Sequence, residues 1–165
     1  MMGKSFFKKI IVAINGRQSS LNAAMYAIMM AKSYHISLKF VYVVDTATIK
    51  YLAMNSLIMM DSKYSLEEKL RNDGDNYLNY AVMLASKKGL TVEKELRSGG
   101  VYTEILKAAD EYDADLIILG GNESSEKSAL KNNVLNHHQN EVLSGSKCPV
   151  MIVQKPGIEK LFNIF

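Results

Sequence analysis

The chain has no tryptophan, one cysteine and two prolines in 165 residues. A lone cysteine, Cys148, excludes a disulfide framework within the chain and suits a reducing cytosol. No apolar run approaches the roughly 20 residues that a membrane helix needs. The early run Ile10 to Ile14 is also too short for the apolar centre of a secretory leader. An excess of one charge is missing too. The formal net charge is +3, and Lys and Arg alternate with Asp and Glu along the chain. Nucleic-acid binders gather basic residues on one face, so that partner class is not expected. These absences predict a soluble, cytoplasmic protein with neither a membrane nor a nucleic acid as partner.

What is present is ample apolar content, 48% of residues, enough for a core without covalent staples. The length fits one domain. Lys8 to Asn15 is a β-branched apolar run ending at Gly16, which reads as a strand buried on both faces. Ser19 and Ser20 are placed to cap the next segment, where Leu21, Ala24, Ile28 and Ala31 recur at helical spacing. A second strand spans Leu38 to Val44 and closes at Asp45. Residues 46–62 have no clean period and read as a short helix or a packed loop. Ser65 with Glu68 matches a capping box, opening a long helix that ends at Gly89. Thr91 to Leu96 alternates as a third strand, and Gly99-Gly100 makes a turn. A helix over Tyr102 to Tyr112 leads to Asp115–Leu119, the plainest buried strand, broken at Gly120-Gly121. Residues 122–133 are polar and read as a loop. A helix over Asn136 to Ser144 and a last strand, Pro149 to Val153, follow. Right-handed crossovers then give an open five-stranded parallel sheet with helices on both faces. Ligands of such sheets bind beyond the carboxyl ends of strands where the winding reverses. Here those ends are Asn15-Gly16 and Gly120-Gly121.

The common nucleotide fingerprints are absent. No glycine loop ends in Gly-Lys-Ser or Gly-Lys-Thr, and no GxGxxG follows the first strand. His137 and His138 are adjacent, so on a helix they point about 100° apart and chelate one ion poorly. His138 shares the stripe of Leu135 and Val142, which reads as a partly buried helix histidine. Cys148 reads as a structural thiol. Asp45 and Asp115 read as turn and capping residues, and Ser19 and Ser20 lack any nucleophile pattern. The methionine-rich segment 51–60 reads as a lid over the crevice, an adaptable docking surface or a cover for a sheet edge.

Four stretches carry a family resemblance. They are Lys8–Gly16 with Ser19-Ser20, Val41–Asp45, Gly100 through Ala108-Ala109 to Asp115–Gly120, and Val142-Leu143 through Cys148 to Val153. Together they resemble the universal stress protein family, over residues 1–156, with 157–165 as a C-terminal tail. The resemblance implies the adenine-nucleotide alpha-hydrolase-like fold with strand order 3-2-1-4-5. It implies a stress-response or signalling module, ATP or a related adenine nucleotide as ligand, and a base pocket at Ala13, Ile14, Asn15 and Val43. It also implies a homodimer through strand 150–153, with Leu161, Phe162 and Phe165 of the tail at that interface. The ATP-binding branch carries G-x2-G-x9-G-[S/T] after the fourth strand. Here only Gly120 is in place, followed by Gly121. Glu123 stands at the second glycine, and Asn136-His137, followed by His138, stands at Gly-Ser. Asn136 can cap the helix, and Arg17, Lys127 and Lys131 are available to neutralise phosphate. Asn15 replaces the usual Asp, which counts against hydrolysis. The expected function is a ligand-sensing module with a diverged pocket. The alternatives are a scaffold that binds no nucleotide, meeting an unidentified protein partner, and a weak ATP hydrolase.

Overall fold

The β-branched runs form a sheet because both of their faces are covered. In the computed structural model, which describes residues 6–122 and 135–165, the strands are β1 (Lys9–Ile14), β2 (Ser37–Asp45), β3 (Glu93–Gly99), β4 (Leu116–Gly120) and β5 (Val150–Val153). All pair in parallel, in the order β3-β2-β1-β4-β5. Helices α1 (Gln18–Tyr34), α2 (Thr46–Met54), α3 (Met60–Lys87), α4 (Val101–Tyr112), α5 (His137–Gly145) and α6 (Ile158–Ile164) complete the described fold.

Strand alternation divides the core in two. Ile10, Val12 and Ile14 of β1 face one layer with Ala24 and Ile28 of α1, Leu78 and Ala81 of α3, and Phe162 of α6. Ile11 of β1 faces the other, with Ile117, Leu119, Ile105 and Ala108 of β4 and α4, and Val142 of α5. A strand at the centre of a parallel sheet must be apolar on both sides, which is why β1 and β4 read as unbroken apolar runs. Gly74, inside α3, is a close-approach residue. A Cβ there would lie 2.5 Å from the Tyr42 ring. The helix forgoes some intrinsic propensity so that it can lie on β2.

Several boundaries differ from the sequence expectation. Helix α1 starts at Gln18, because the turn at Gly16 (φ 80°) is too tight to leave a longer lead-in. Ser19 and Ser20 therefore fall inside the first turn and do not cap it. The Ser20 hydroxyl donates to the Arg17 carbonyl (2.9 Å) and accepts from the Asn15 amide (3.2 Å), fastening the strand end to the helix. Helix α3 starts at Met60, so Ser65 is an interior residue and no capping box. Asp61 in its first turn favours the helix dipole instead. Residues 46–54 are a helix, because Asp45 caps it by accepting from the Thr48 amide (3.0 Å) and hydroxyl (2.7 Å). Strand β3 begins later than Thr91 and runs on to Gly99, since its ladder with β2 continues to the Asp45–Gly99 pair. The tail forms α6. Phe162 is buried in the chain's own core and is not free for an interface, whereas Leu161, Ile164 and Phe165 stay exposed. Strand β5 is a sheet edge, as the topology predicts. Among the described residues, no helix is long and apolar enough to cross a membrane.

Candidate functional site

The chain winds one way from β1 through β2 to β3 and the other way to β4 and β5, so a crevice opens beyond β1 and β4. It holds a cavity of about 470 Å³. All nine residues singled out from the sequence line it: Ala13, Ile14 and Asn15 from β1 and its turn, Val43 from β2, Gly120 and Gly121 from β4 and its exit, and Asn136, His137 and His138 from the start of α5. Val41, Val101, Ile105, Leu119 and Val142 give the cavity apolar wall, and Asn15, Arg17, Ser19, Asn136, His137, His138 and Gln139 bring polar groups to it. An apolar slot with a few convergent polar groups is the usual form of a small-molecule site.

The two glycines are there because backbone meets backbone. A Cβ on Gly120 would lie 2.6 Å from the Ser19 carbonyl carbon, and one on Gly121 would lie 2.7 Å from the Val153 oxygen. Asn15 has a local duty, its Oδ1 accepting from the Arg17 amide at 3.0 Å. That bond shapes the tight turn into α1.

The start of α5 is held by a residue the sequence reading passed over. Gln139 is 3% exposed. Its Oε1 accepts from the Asn136 amide (2.9 Å), while Asn136 Oδ1 accepts from the Gln139 amide (2.9 Å). This reciprocal pair is a capping box. Its Nε2 donates to the Gly120 carbonyl at 2.8 Å, pinning α5 to the end of β4. The spacing Asn136-x-x-Gln139 was the available signal. At the rim, the Tyr102 ring meets His137 edge-on at 5.8 Å and His138 at 6.5 Å. His138 is exposed and not partly buried, because the helix begins at the crevice and turns its first residues outward.

Charge is scarce in the crevice. Among the described lining residues Arg17 is the one permanent cation, and no carboxylate lines the walls. Burial, then Asp73 and Tyr77, push the Tyr42 phenol above its ordinary range, so it stays neutral. No cluster of His, Cys, Asp and Glu among the described residues is arranged to hold a metal. Glu123, Lys127 and Lys131, and most of the polar loop expected at 122–133, lie outside the described residues. No residue of 46–62 lines the cavity, so the lid reading fails. Tyr51, Met54, Leu57, Met59 and Met60 are exposed. Cys148 lies elsewhere, its carbonyl accepting from the Ser146 hydroxyl at 2.7 Å. Asp45 and Asp115 are not paired. Asp115 accepts from the Lys8 and Lys9 amides, at 2.8 and 2.9 Å, and those two bonds hold its carboxyl below the ordinary range.

Residues 6–154 match the family described as the universal stress protein family. The chain is 29% identical over 154 residues to universal stress protein MJ0531 of Methanocaldococcus jannaschii, covering 93% of this chain and 86% of that protein. The fold is similar to that of universal stress protein UspA from Lactobacillus plantarum, at 16% identity and TM-score 0.73, covering 91% and 99% of the two chains. It is also similar to a universal stress protein family protein from Arabidopsis thaliana with AMP bound, at 14% identity and TM-score 0.62, covering 92% and 94%. Sheet order, crevice position and the match along nearly the whole chain agree, and the chain belongs to the universal stress protein family.

Proposed function

We propose that the crevice binds an adenine nucleotide and that the protein is a cytosolic ligand-sensing module of stress response or signalling. The carrying observation is the cavity itself. It joins an apolar slot, suited to a flat base, to the amino end of a helix at the reversal of the sheet. The Arabidopsis protein of this fold has AMP bound, and others are in complex with cAMP and with dAMP. Asn15 and the described walls offer no carboxylate for a catalytic metal, which disfavours a hydrolase. Calorimetry on nucleotide-stripped protein with magnesium tests the reading. Micromolar binding of adenosine or AMP is the expected result, and no heat up to millimolar concentrations of either overturns it. A second reading, a scaffold that needs no nucleotide, rests on the outward-facing Tyr51, Met54, Met59 and Met60.

The protein also pairs with itself in this proposal, through β5. That strand is a sheet edge whose Met151 and Ile152 are only half-buried, with Leu161 and Phe165 of the tail exposed. Bare edges invite strand pairing. Light scattering at micromolar concentration is expected to give twice the 18.4 kDa of one chain. A monodisperse monomer rejects the pairing.

A further inference from the structure

We propose that Tyr77 of α3, a side chain that does not itself line the cavity, positions the β1–α1 turn and so sets how tightly the crevice holds its ligand. The ligand half of this rests on the proposed nucleotide reading. The positioning half stands on the ligand-free protein.

The turn Asn15-Gly16-Arg17 brings two residues to the cavity, Asn15 and Arg17. Gly16 between them has φ 80°. Glycine loses more freedom on folding than any other residue, so a turn built on it keeps one shape only where neighbours hold it. Ser20 holds one side, accepting from the Asn15 amide and donating to the Arg17 carbonyl. Tyr77 stands on the other. A Cβ on Gly16 would lie 2.5 Å from Tyr77 Cε2 and 2.8 Å from Cζ. The ring therefore rests against the glycine's own α-hydrogen and blocks the turn from moving toward α3.

The prop is itself fixed. The Tyr77 ring stacks on that of Tyr42, with centroids 6.2 Å apart and planes 20° from parallel. Tyr42 is buried, and Gly74, three residues before Tyr77 on the same helix, comes down onto its ring. One glycine lets α3 approach β2, and the aromatic that follows reaches across to the crevice turn. A half-buried helix tyrosine that served only as apolar cover could be exchanged for leucine at little cost to the crevice. Leucine keeps apolar volume here but loses both the stack and the ring carbons that meet Gly16.

Tyr77→Leu, Tyr77→Phe and Tyr112→Leu are compared with the wild type. Tyr112→Leu is the stability control. It makes the same exchange at a buried ring beside Lys9, at the amino end of the sheet and away from the crevice. Hydrogen exchange on ligand-free protein reads the Asn15 and Arg17 amides, which donate to Ser20 Oγ and Asn15 Oδ1. Tyr77→Leu is expected to speed both about tenfold beyond any change shared by the β1 amides, and Tyr77→Phe to leave them as they are. The Gly16 α-hydrogen signals, displaced by the current of the adjacent ring, should move in Tyr77→Leu and stay in Tyr77→Phe. In calorimetry with AMP, Tyr77→Leu is expected to weaken binding about tenfold. Tyr77→Phe and Tyr112→Leu should stay within about threefold, although Tyr112→Leu melts at a lower temperature. Unchanged exchange at the turn in Tyr77→Leu overturns the positioning role. Faster exchange with unchanged AMP affinity overturns the link to the ligand. Equal AMP losses in Tyr77→Leu and Tyr112→Leu reject it in favour of a general effect of stability. A wild type that binds neither AMP nor adenosine removes the nucleotide reading and the affinity claim with it, while the exchange rates still decide the prop.

Discussion

Gly120→Ala is expected to cost about 3 kcal/mol of stability, lowering the melting temperature by roughly 9 °C for a domain of this size. One methyl group is ordinarily a small change. Here the added carbon would lie 2.6 Å from the Ser19 carbonyl carbon and 2.7 Å from both the Ser19 oxygen and the Ser20 nitrogen. All three atoms are backbone, at the point where α1 is fastened to β1 by Ser20. No rotamer change can relieve the contact, so β4 or α1 must move. A shift of β4 also displaces the Gly120 carbonyl from Gln139 on α5. Gly157→Ala is the control. Nothing lies within 4 Å of a Cβ there, and only the left-handed backbone (φ 74°) opposes the change. Its cost should be about 1 kcal/mol. Urea titrations followed by circular dichroism measure both, and equal losses at the two glycines would reject the packing account.

Arg97→Met is expected to cost about 2 kcal/mol, and the loss should depend on pH. Arg97 on β3 donates to Glu104 at 2.9 Å, Glu95 at 2.6 Å and Glu111 at 2.8 Å. The Arg97 and Glu104 side chains are 12% and 14% exposed, so deleting the guanidinium leaves a partly buried carboxylate with only the exposed Lys107, at 3.3 Å, as a cationic partner. Glu111 is on the surface and is left out of the figure. Hydrogen bonding to Glu111 raises the Arg97 pKa, desolvation opposes it, and Glu104 and Glu95 add to the rise. Burial pushes the Glu95 carboxyl up, but the hydrogen bonds from Lys39 and Arg97 outweigh it and hold it below 4.5, the ordinary value. A carboxyl whose folded pKa is depressed stabilises the fold fully above its unfolded value and loses that contribution as pH falls. Wild-type stability should therefore decline below pH 4.5 in part through Glu95, and Arg97→Met should flatten that decline. A pH-independent penalty would assign the loss to packing alone.

The parallel sheet and the location of the crevice were legible because they rest on patterns the chain spells out locally, whereas the strand order came with the family resemblance. Apolar runs at Ile10 and Ile117 can be covered only in a doubly faced sheet, and the Gly16 and Gly120 breaks mark its carboxyl ends. What was hidden depends on contacts between distant segments. Ser65 looks like a cap, yet α3 starts at Met60. The turn at Gly16 draws α1 forward over both serines. His138 follows an apolar stripe by sequence and still faces solvent, because its helix begins at an opening. Gln139 stands three residues after Asn136, the spacing of a capping box, but a polar pair at that spacing is common in sequences and does not by itself mark a helix start. Its bond to Gly120 spans residues far apart in the chain, and no local pattern announces it.

The two margins of the sheet differ. The β3 margin carries Glu93, Lys94, Glu95 and Arg97, whereas β5 carries Val150, Met151 and Ile152. A protein with two bare margins could add copies end on end into a fibre. One guarded by charge and bare on the other side can add a copy once, after which both bare margins are consumed and growth stops. In the proposed pairing through β5, the ion cluster around Arg97 that steadies β3 would also act as a terminator, capping the size of the assembly.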